Sequence, residues 1–200
     1  MSTKVEAVES EIGDLTKKKL IIWEVIGWVV IFGFGSLFHF WYEWLPWKPY
    51  GWFFAINESM WEHSKLSFWP ALIFYLIQYF VLRKKNKNLA VAGALSLAVG
   101  IIFMQSFYYT IVGAFGQETR SLTLSLSIFI LAVLAQQFTH YLIISINIDL
   151  DQKRQLTIDI ISLVYIVMLI VIVILFTYIQ PELPIFYDDL NGIYGFLPTS

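Results

Sequence analysis

Between Glu58 and Lys65 the run Glu-Ser-Met-Trp-Glu-His-Ser-Lys places two carboxylates, an imidazole, hydroxyls and an amine within eight residues. Such groups supply general acid/base chemistry, or oxygen and nitrogen ligands for a divalent metal. Glu58, Glu62 and His63 form the candidate catalytic set, flanked by Asn57, Ser59 and Lys65 as ligand-contacting groups. Asn57 is a good N-cap, and Glu58 in a first turn complements the helix dipole. A helix starting there aligns Glu58, Glu62 and Lys65 on one face and Ser59 with His63 on the next. A second reading of the same stretch needs no ligand. Trp41, Trp44, Trp47, Trp52, Trp61 and Trp69 gather six of the eight tryptophans around it, as an interfacial anchor would.

The three histidines are His39, His63 and His140. Three histidines make a catalytic zinc site with one open position, an arrangement loosely analogous to ceramidase-like membrane hydrolases. Depth argues against it. His140 lies 15 to 19 residues into its apolar block, counted from Ser125 or Ser121, about 22–28 Å below the other two. His39, Glu43, Glu58, Glu62 and His63 share one level instead, and Asp188 and Asp189 fall on the same side. Within that group His39, Glu62 and His63 are the expected metal ligands. A Ser59–His63–Asp188 triad is the weaker arrangement, because nothing suggests the strained turn that presents a nucleophilic serine. Walker, Rossmann, HExxH, CxxC and Gly-x-Ser-x-Gly motifs are absent. The sequence demands no cofactor, and a divalent metal is the one its donor types would take.

These groups sit in a chain that is 58% hydrophobic and 14% charged over 200 residues, with mean hydropathy +0.68. A soluble domain is nearer 45–50% apolar and ~25% charged. The net charge of −2 offers nucleic acid no basic field, and the lack of cysteine excludes disulfides and thiolate chemistry. A bilayer crossing takes roughly 20 apolar residues. Five blocks qualify: Leu20–Tyr42, Leu66–Leu82, Leu89–Phe115, Ser121–Ile148 and Ile158–Ile179. The second becomes long enough if its helix begins upstream, near Asn57. The fold class is therefore an all-α polytopic helical bundle of about five spans. Residues 1–19 precede the membrane domain 20–179, whose motif segment is 43–65, and residues 180–200 form a tail.

Lysine and arginine set the orientation. With the amino terminus inside, Lys4, Lys17, Lys18, Lys19, Arg83, Lys84, Lys85, Lys87, Lys153 and Arg154 are cytoplasmic, against Lys48, Lys65 and Arg120 outside. The expected topology is N-in/C-out in the plasma membrane. Membrane lipids are the expected partners, along with other copies of the chain in a homo-oligomer.

The run Asn57-Glu58-Ser59-x-Trp61-Glu62-His63-x-Lys65-Leu66, followed by Phe68-Trp69-Pro70, resembles the signature of a family of small polytopic bacterial and archaeal membrane proteins of unknown function. His39-Phe40 and the tail Pro184-Ile185-Phe186-Tyr187-Asp188-Asp189-x-x-x-Gly192-x-Tyr194-Gly195 are similar to that family too. The tail departs from its pattern in carrying Tyr187-Asp188-Asp189 where Asp-Pro follows the Phe. The resemblance implies a shared fold and brings no activity.

Polar residues within the spans usually hydrogen-bond between helices. Gln105 and Tyr109 of the third block, with Gln136 and His140 of the fourth, could instead line a polar ligand cavity. Ala92, Ser96 and Gly100 form a small-residue stripe for close packing. Glu24 is expected to snorkel toward the interface. The turn-rich tail is expected to fold back as a lid on Asn57–Lys65. The function expected is binding of a small ligand, lipid or ion at an outward-facing polar site around Glu58, Glu62 and His63. A membrane-embedded metal-dependent hydrolase at the outer leaflet and a structural accessory subunit are the alternatives.

Overall fold

The computed structural model describes residues 2–116, 121–146 and 151–196, with side chains from residue 17 onward. Five helices dominate: α1 (Ser2–Trp44), α2 (Met60–Leu82), α3 (Leu89–Phe115), α4 (Leu122–Ser145) and α5 (Gln152–Tyr178). Each contains a stretch long and apolar enough to cross a membrane, that of α1 being Lys17–Trp44. The chain is a multi-pass membrane protein. The second block gains its missing length upstream, from Met60. Arg120, counted in the orientation argument, lies outside the described residues, as do Asn147 and Ile148 at the end of the fourth block.

Helices α1 to α4 close into a ring in which α1 touches α2, α2 touches α3, α3 touches α4 and α4 returns to α1; α5 packs outside, on α3. Burial follows polarity in the sense lipid requires. The least apolar span, α2, is the most buried, and the most apolar, α5, is among the least. Phe80, Leu163, Val164 and Phe138 project outward from the bundle. An apolar side chain gains nothing by leaving lipid for a protein interior, so packing and hydrogen bonds decide which faces meet.

Two local features hold the ring together. Pro70 lies inside α2 and lacks the N–H that would bond the Leu66 carbonyl one turn back. Gly35 of α1 packs against that carbonyl, and a Cβ on Gly35 would stand 2.4 Å from Leu66 O. Glycine is the only residue that lets the two backbones meet there. At the other end of the ring, Asn86 and Asn88 staple the α2–α3 turn onto α4. Asn86 Nδ2 donates to Ile144 O at 2.7 Å, and Asn88 Nδ2 to Ile143 O and Ile146 O at 3.1 and 2.6 Å.

The interior of the ring is polar at one level. Glu24 of α1, expected to snorkel, is buried instead and faces inward. Its Oε1 pairs with His140 Nδ1 of α4 at 2.9 Å and accepts Gln78 Nε2 of α2 at 3.1 Å. A carboxylate one turn from three lysines reads as interfacial from sequence alone; a histidine on a facing helix draws it in.

Between α1 and α2 the chain runs through a short 3-10 turn, Lys48–Trp52. After α5 a second one, Pro184–Phe186, leads into a hairpin of β1 (Tyr187–Asp188) and β2 (Ile193–Tyr194), paired antiparallel with Tyr187 opposite Tyr194 and Asp188 opposite Ile193. The tail covers the start of α2: Phe186 packs on Trp61 at 5.1 Å between ring centroids, and Asn57 Nδ2 donates to Gly195 O at 2.7 Å.

Candidate metal centre

Helix α2 begins later than its sequence suggests, and this shapes the site. Ser59 is the N-cap, its Oγ accepting the Glu62 N–H at 3.3 Å. Asn57 serves the turn before it, accepting the Ser59 N–H at 2.9 Å. Glu58 is therefore outside the helix, freed from the face it would share with Glu62. Its backbone N–H donates to Asp188 Oδ2 at 3.0 Å. Its side chain points to the two histidines, His39 near the end of α1 and His63 in the first turn of α2.

Three ligand atoms converge there. His63 Nε2 lies 3.4 Å from His39 Nε2, Glu58 Oε2 is 3.3 Å from His63 Nε2, and it is 3.7 Å from His39 Nε2. The three side chains are 24%, 12% and 28% exposed for His39, His63 and Glu58, so solvent reaches them. A hydrogen bond from His63, reinforced by both imidazoles, holds the Glu58 carboxyl below its ordinary value against the opposing effect of burial. His39 stacks on Phe40 at 5.0 Å between centroids. Neither Nδ1 has a partner among the described residues, so packing sets the ring orientations.

The spacing suits a metal. Ligands at ~2.0–2.1 Å from a tetrahedral ion stand about 3.3–3.4 Å from one another. Two of the three separations match that edge, and the third is within a few tenths of an ångström. Imidazole and carboxylate ligands suit zinc, iron and similar divalent ions. Three protein ligands leave a further coordination position open.

The structure places Glu58 where the sequence reading put Glu62. Glu62 is fully buried; its Oε2 is ion-paired to Lys65 Nζ and accepts the Ile56 N–H at 3.0 Å, and Gln180 Nε2 donates to its Oε1 at 3.4 Å. Lys65 Nζ also donates to Gly51 O at 2.7 Å and Thr177 Oγ1 at 3.0 Å. This pair joins α2, α5 and the 3-10 turn, and leaves Glu62 no free oxygen for a metal. The Ser59–His63–Asp188 triad does not form among the described residues: Ser59 Oγ accepts the Glu62 N–H, and His63 Nε2 faces Glu58 and His39. The Asp188 carboxylate, for its part, accepts from Glu58, Leu190 and Asn191. Glu43 and Asp189 are exposed.

The cavity read between spans three and four separates into two places. Gln105 Nε2 donates to Met60 O and Ser64 Oγ, both at 2.7 Å, and Tyr109 OH to Pro184 O at 2.7 Å, so both serve the start of α2 and the tail. Gln136 and His140 belong to the interior level around Glu24. Since Glu24 and His39 lie on one helix 15 residues apart, that level is about 22 Å from the histidine pair.

A family model matches residues 14–196, which takes in all five helices' apolar stretches and the tail hairpin. The chain belongs to DUF6512, a family of unknown function. Membership in DUF6512 supplies no reaction. Searches of the curated proteins and of the solved structures found no match. For this DUF6512 chain the chemistry has to be read from the residues. Sequence reasoning overlooked Tyr75 and Gln78, a phenol and an amide three residues apart on one face of α2; the amide in an otherwise apolar span was the available signal.

Proposed function

We propose that this protein binds a divalent transition-metal ion at the outer face of the plasma membrane through His39, Glu58 and His63. The observation that carries the proposal is the mutual spacing of the three ligand atoms, 3.3 to 3.7 Å, within a few tenths of an ångström of the edge of a tetrahedral site, about 3.3–3.4 Å. Two imidazoles and one carboxylate on the fixed ends of α1 and α2, with Asp188 gripping the Glu58 backbone, make a set that needs little rearrangement to bind. The basic residues of the opposite loops support the outward orientation.

A hydrolase acting at the outer leaflet is the second reading, favoured by the open position that three ligands leave, where a bound water would be activated. In that reading the three residues hold the ion and no serine takes part. The role of a structural subunit is favoured if the site takes no metal.

Metal analysis of the purified protein after zinc loading and desalting tests the proposal. About one ion per chain should be retained by the wild type and by Glu62→Gln, and lost in His39→Ala and His63→Ala. Glu58→Gln should weaken retention at least ~10-fold. Wild-type protein that retains no zinc, or retention unchanged by both histidine substitutions, overturns it.

A further inference from the structure

Helix α1 is 43 residues long, and its membrane-spanning stretch begins only at Lys17. Residues 2–16 continue the same helix without a break, reaching about 22 Å beyond that stretch. A helix of that length is marginal in water on propensity alone. This one also contains Gly13, and glycine weakens a helix interior by about 1 kcal/mol relative to alanine. Something outside the segment has to hold it.

The residue spacing shows along which line. Between positions 2 and 16 the bulky apolar residues are Val5, Val8, Ile12 and Leu15. They alternate at spacings of three and four, as the a and d positions of a heptad do. The register runs on through Lys19 into the membrane at Ile22, Ile26, Val29 and Gly33. Within the span that line faces away from the ring. Ile22, Ile26 and Val29 are 56%, 45% and 57% exposed, and a Cβ on Gly33 would meet nothing within 4 Å among the described residues. The residues that α1 turns to the ring, Glu24, Gly27, Ile31 and Gly35, are buried half a turn round the helix. In a single chain lipid covers Ile22 to Gly33. Positions 5–15 lie beyond the hydrocarbon, and the heptad line keeps to the side opposite the ring.

We propose that α1 pairs in parallel with α1 of a second copy of this chain, along the heptad line from Val5 to Gly33. Two copies inserted in one membrane share an orientation, so their α1 helices run parallel and each a or d position meets its own counterpart. Charge fits that arrangement. With Val5 at a, Lys4 occupies a g position and Glu9 the e position five residues on, and g and e flank the seam of a parallel pair. A symmetric pair therefore sets lysine opposite glutamate twice. Lys19 is the one charged residue on the line and falls where the helix enters the membrane. A lysine at a single a position costs stability and fixes register, and its long side chain reaches headgroup level. Gly33 lets the two backbones approach inside the bilayer, where small residues favour helix association; alanine would keep that position equally narrow.

The chain has no cysteine, so single cysteines report the contact in the full-length protein. In isolated membranes under mild oxidation, Val8→Cys at a d position should give a disulfide-linked dimer, and Ser10→Cys at the outward f position should not. Light scattering of the purified protein, corrected for detergent, should give twice the 23.3 kDa mass of the chain. Val8→Glu/Ile12→Glu should raise the dimer dissociation constant at least ~10-fold. The same variant should keep the wild-type tryptophan emission, because all eight tryptophans lie between positions 23 and 69, which distinguishes a lost contact from a misfolded bundle. A monomeric wild type, linkage at position 10 matching that at position 8, or a dimer that the two glutamates do not weaken overturns the proposal.

Discussion

Asp188 holds Glu58 by its backbone: Oδ2 of the tail residue accepts the Glu58 N–H at 3.0 Å across 130 residues of chain. Its other oxygen closes the hairpin turn by accepting the Leu190 and Asn191 N–H groups at 2.9 and 3.0 Å. A fully buried carboxylate thus couples the fold of the tail to the position of Glu58 beside the histidine pair. Asp188→Ala leaves three backbone donors without their acceptor, at about 1–3 kcal/mol for each group that finds no water. We expect a Tm several degrees lower and weaker zinc retention, with Glu58 itself intact. Equal Tm and equal zinc content in the variant would separate the tail from the site.

Lys65→Met should be among the most destabilising single changes at this end of the bundle. It strands the buried Glu62 charge and unlinks Gly51 and Thr177, and breaking such a pair costs about 3–5 kcal/mol. Adding Glu62→Gln should restore much of the loss, because the stranded charge is then gone. Thermal unfolding of both single variants and the double variant measures this; additive losses would show that the pair is not coupled.

Acid should weaken the metal-free protein in part through Glu58. Its carboxyl is held below the ordinary value in the folded chain by the hydrogen bond from His63. The folded state therefore binds fewer protons than the unfolded one. The stabilisation is fully present above the ordinary carboxylate pKa and is lost as pH falls through the lowered folded value. In chelator-stripped protein, Glu58→Gln should lower Tm in the neutral range, where the stabilisation is present, and the difference from the wild type should close as pH falls through that acid range. A variant curve parallel to the wild type at all pH values would count against the linkage.

Gly35→Val should fail to pack α1 on α2, since even the first carbon of a side chain would overlap the Leu66 carbonyl at 2.4 Å. Overpacking of this kind costs about 1–3 kcal/mol or more where backbone must move. By contrast Gly33, with nothing near its position, should accept alanine freely. Comparing the Tm and detergent-extracted yield of Gly35→Val and Gly33→Ala checks the contrast.

An odd number of spans places the α2–α3 turn and the tail on opposite sides of the bilayer. The chain has no cysteine, so Lys84→Cys and Leu190→Cys each introduce a single label site. In intact cells an impermeant maleimide should modify position 190 and leave position 84 untouched until the membrane is opened. Labelling of position 84 alone would invert the bundle, and equal labelling of both would remove a span.

Before any tertiary contact is known, the residues settle the membrane spans, because transfer into hydrocarbon sums over ~20 consecutive side chains and depends little on neighbours. The same additive logic marks the Glu58–Lys65 run as unusual, and rise per residue separates His140 from the outer histidines. Partner choice is a different matter, since it depends on helix rotation and on where a helix begins. Two residues of difference in the start of α2, Ser59 rather than Asn57 as cap, turn Glu58 toward His39 and His63 and leave Glu62 for Lys65. Glu24 reads as a headgroup-facing carboxylate until closure of the four-helix ring brings His140 and Gln78 against it. Local sequence carries the energy of insertion; only the assembled ring determines which buried charge meets which partner.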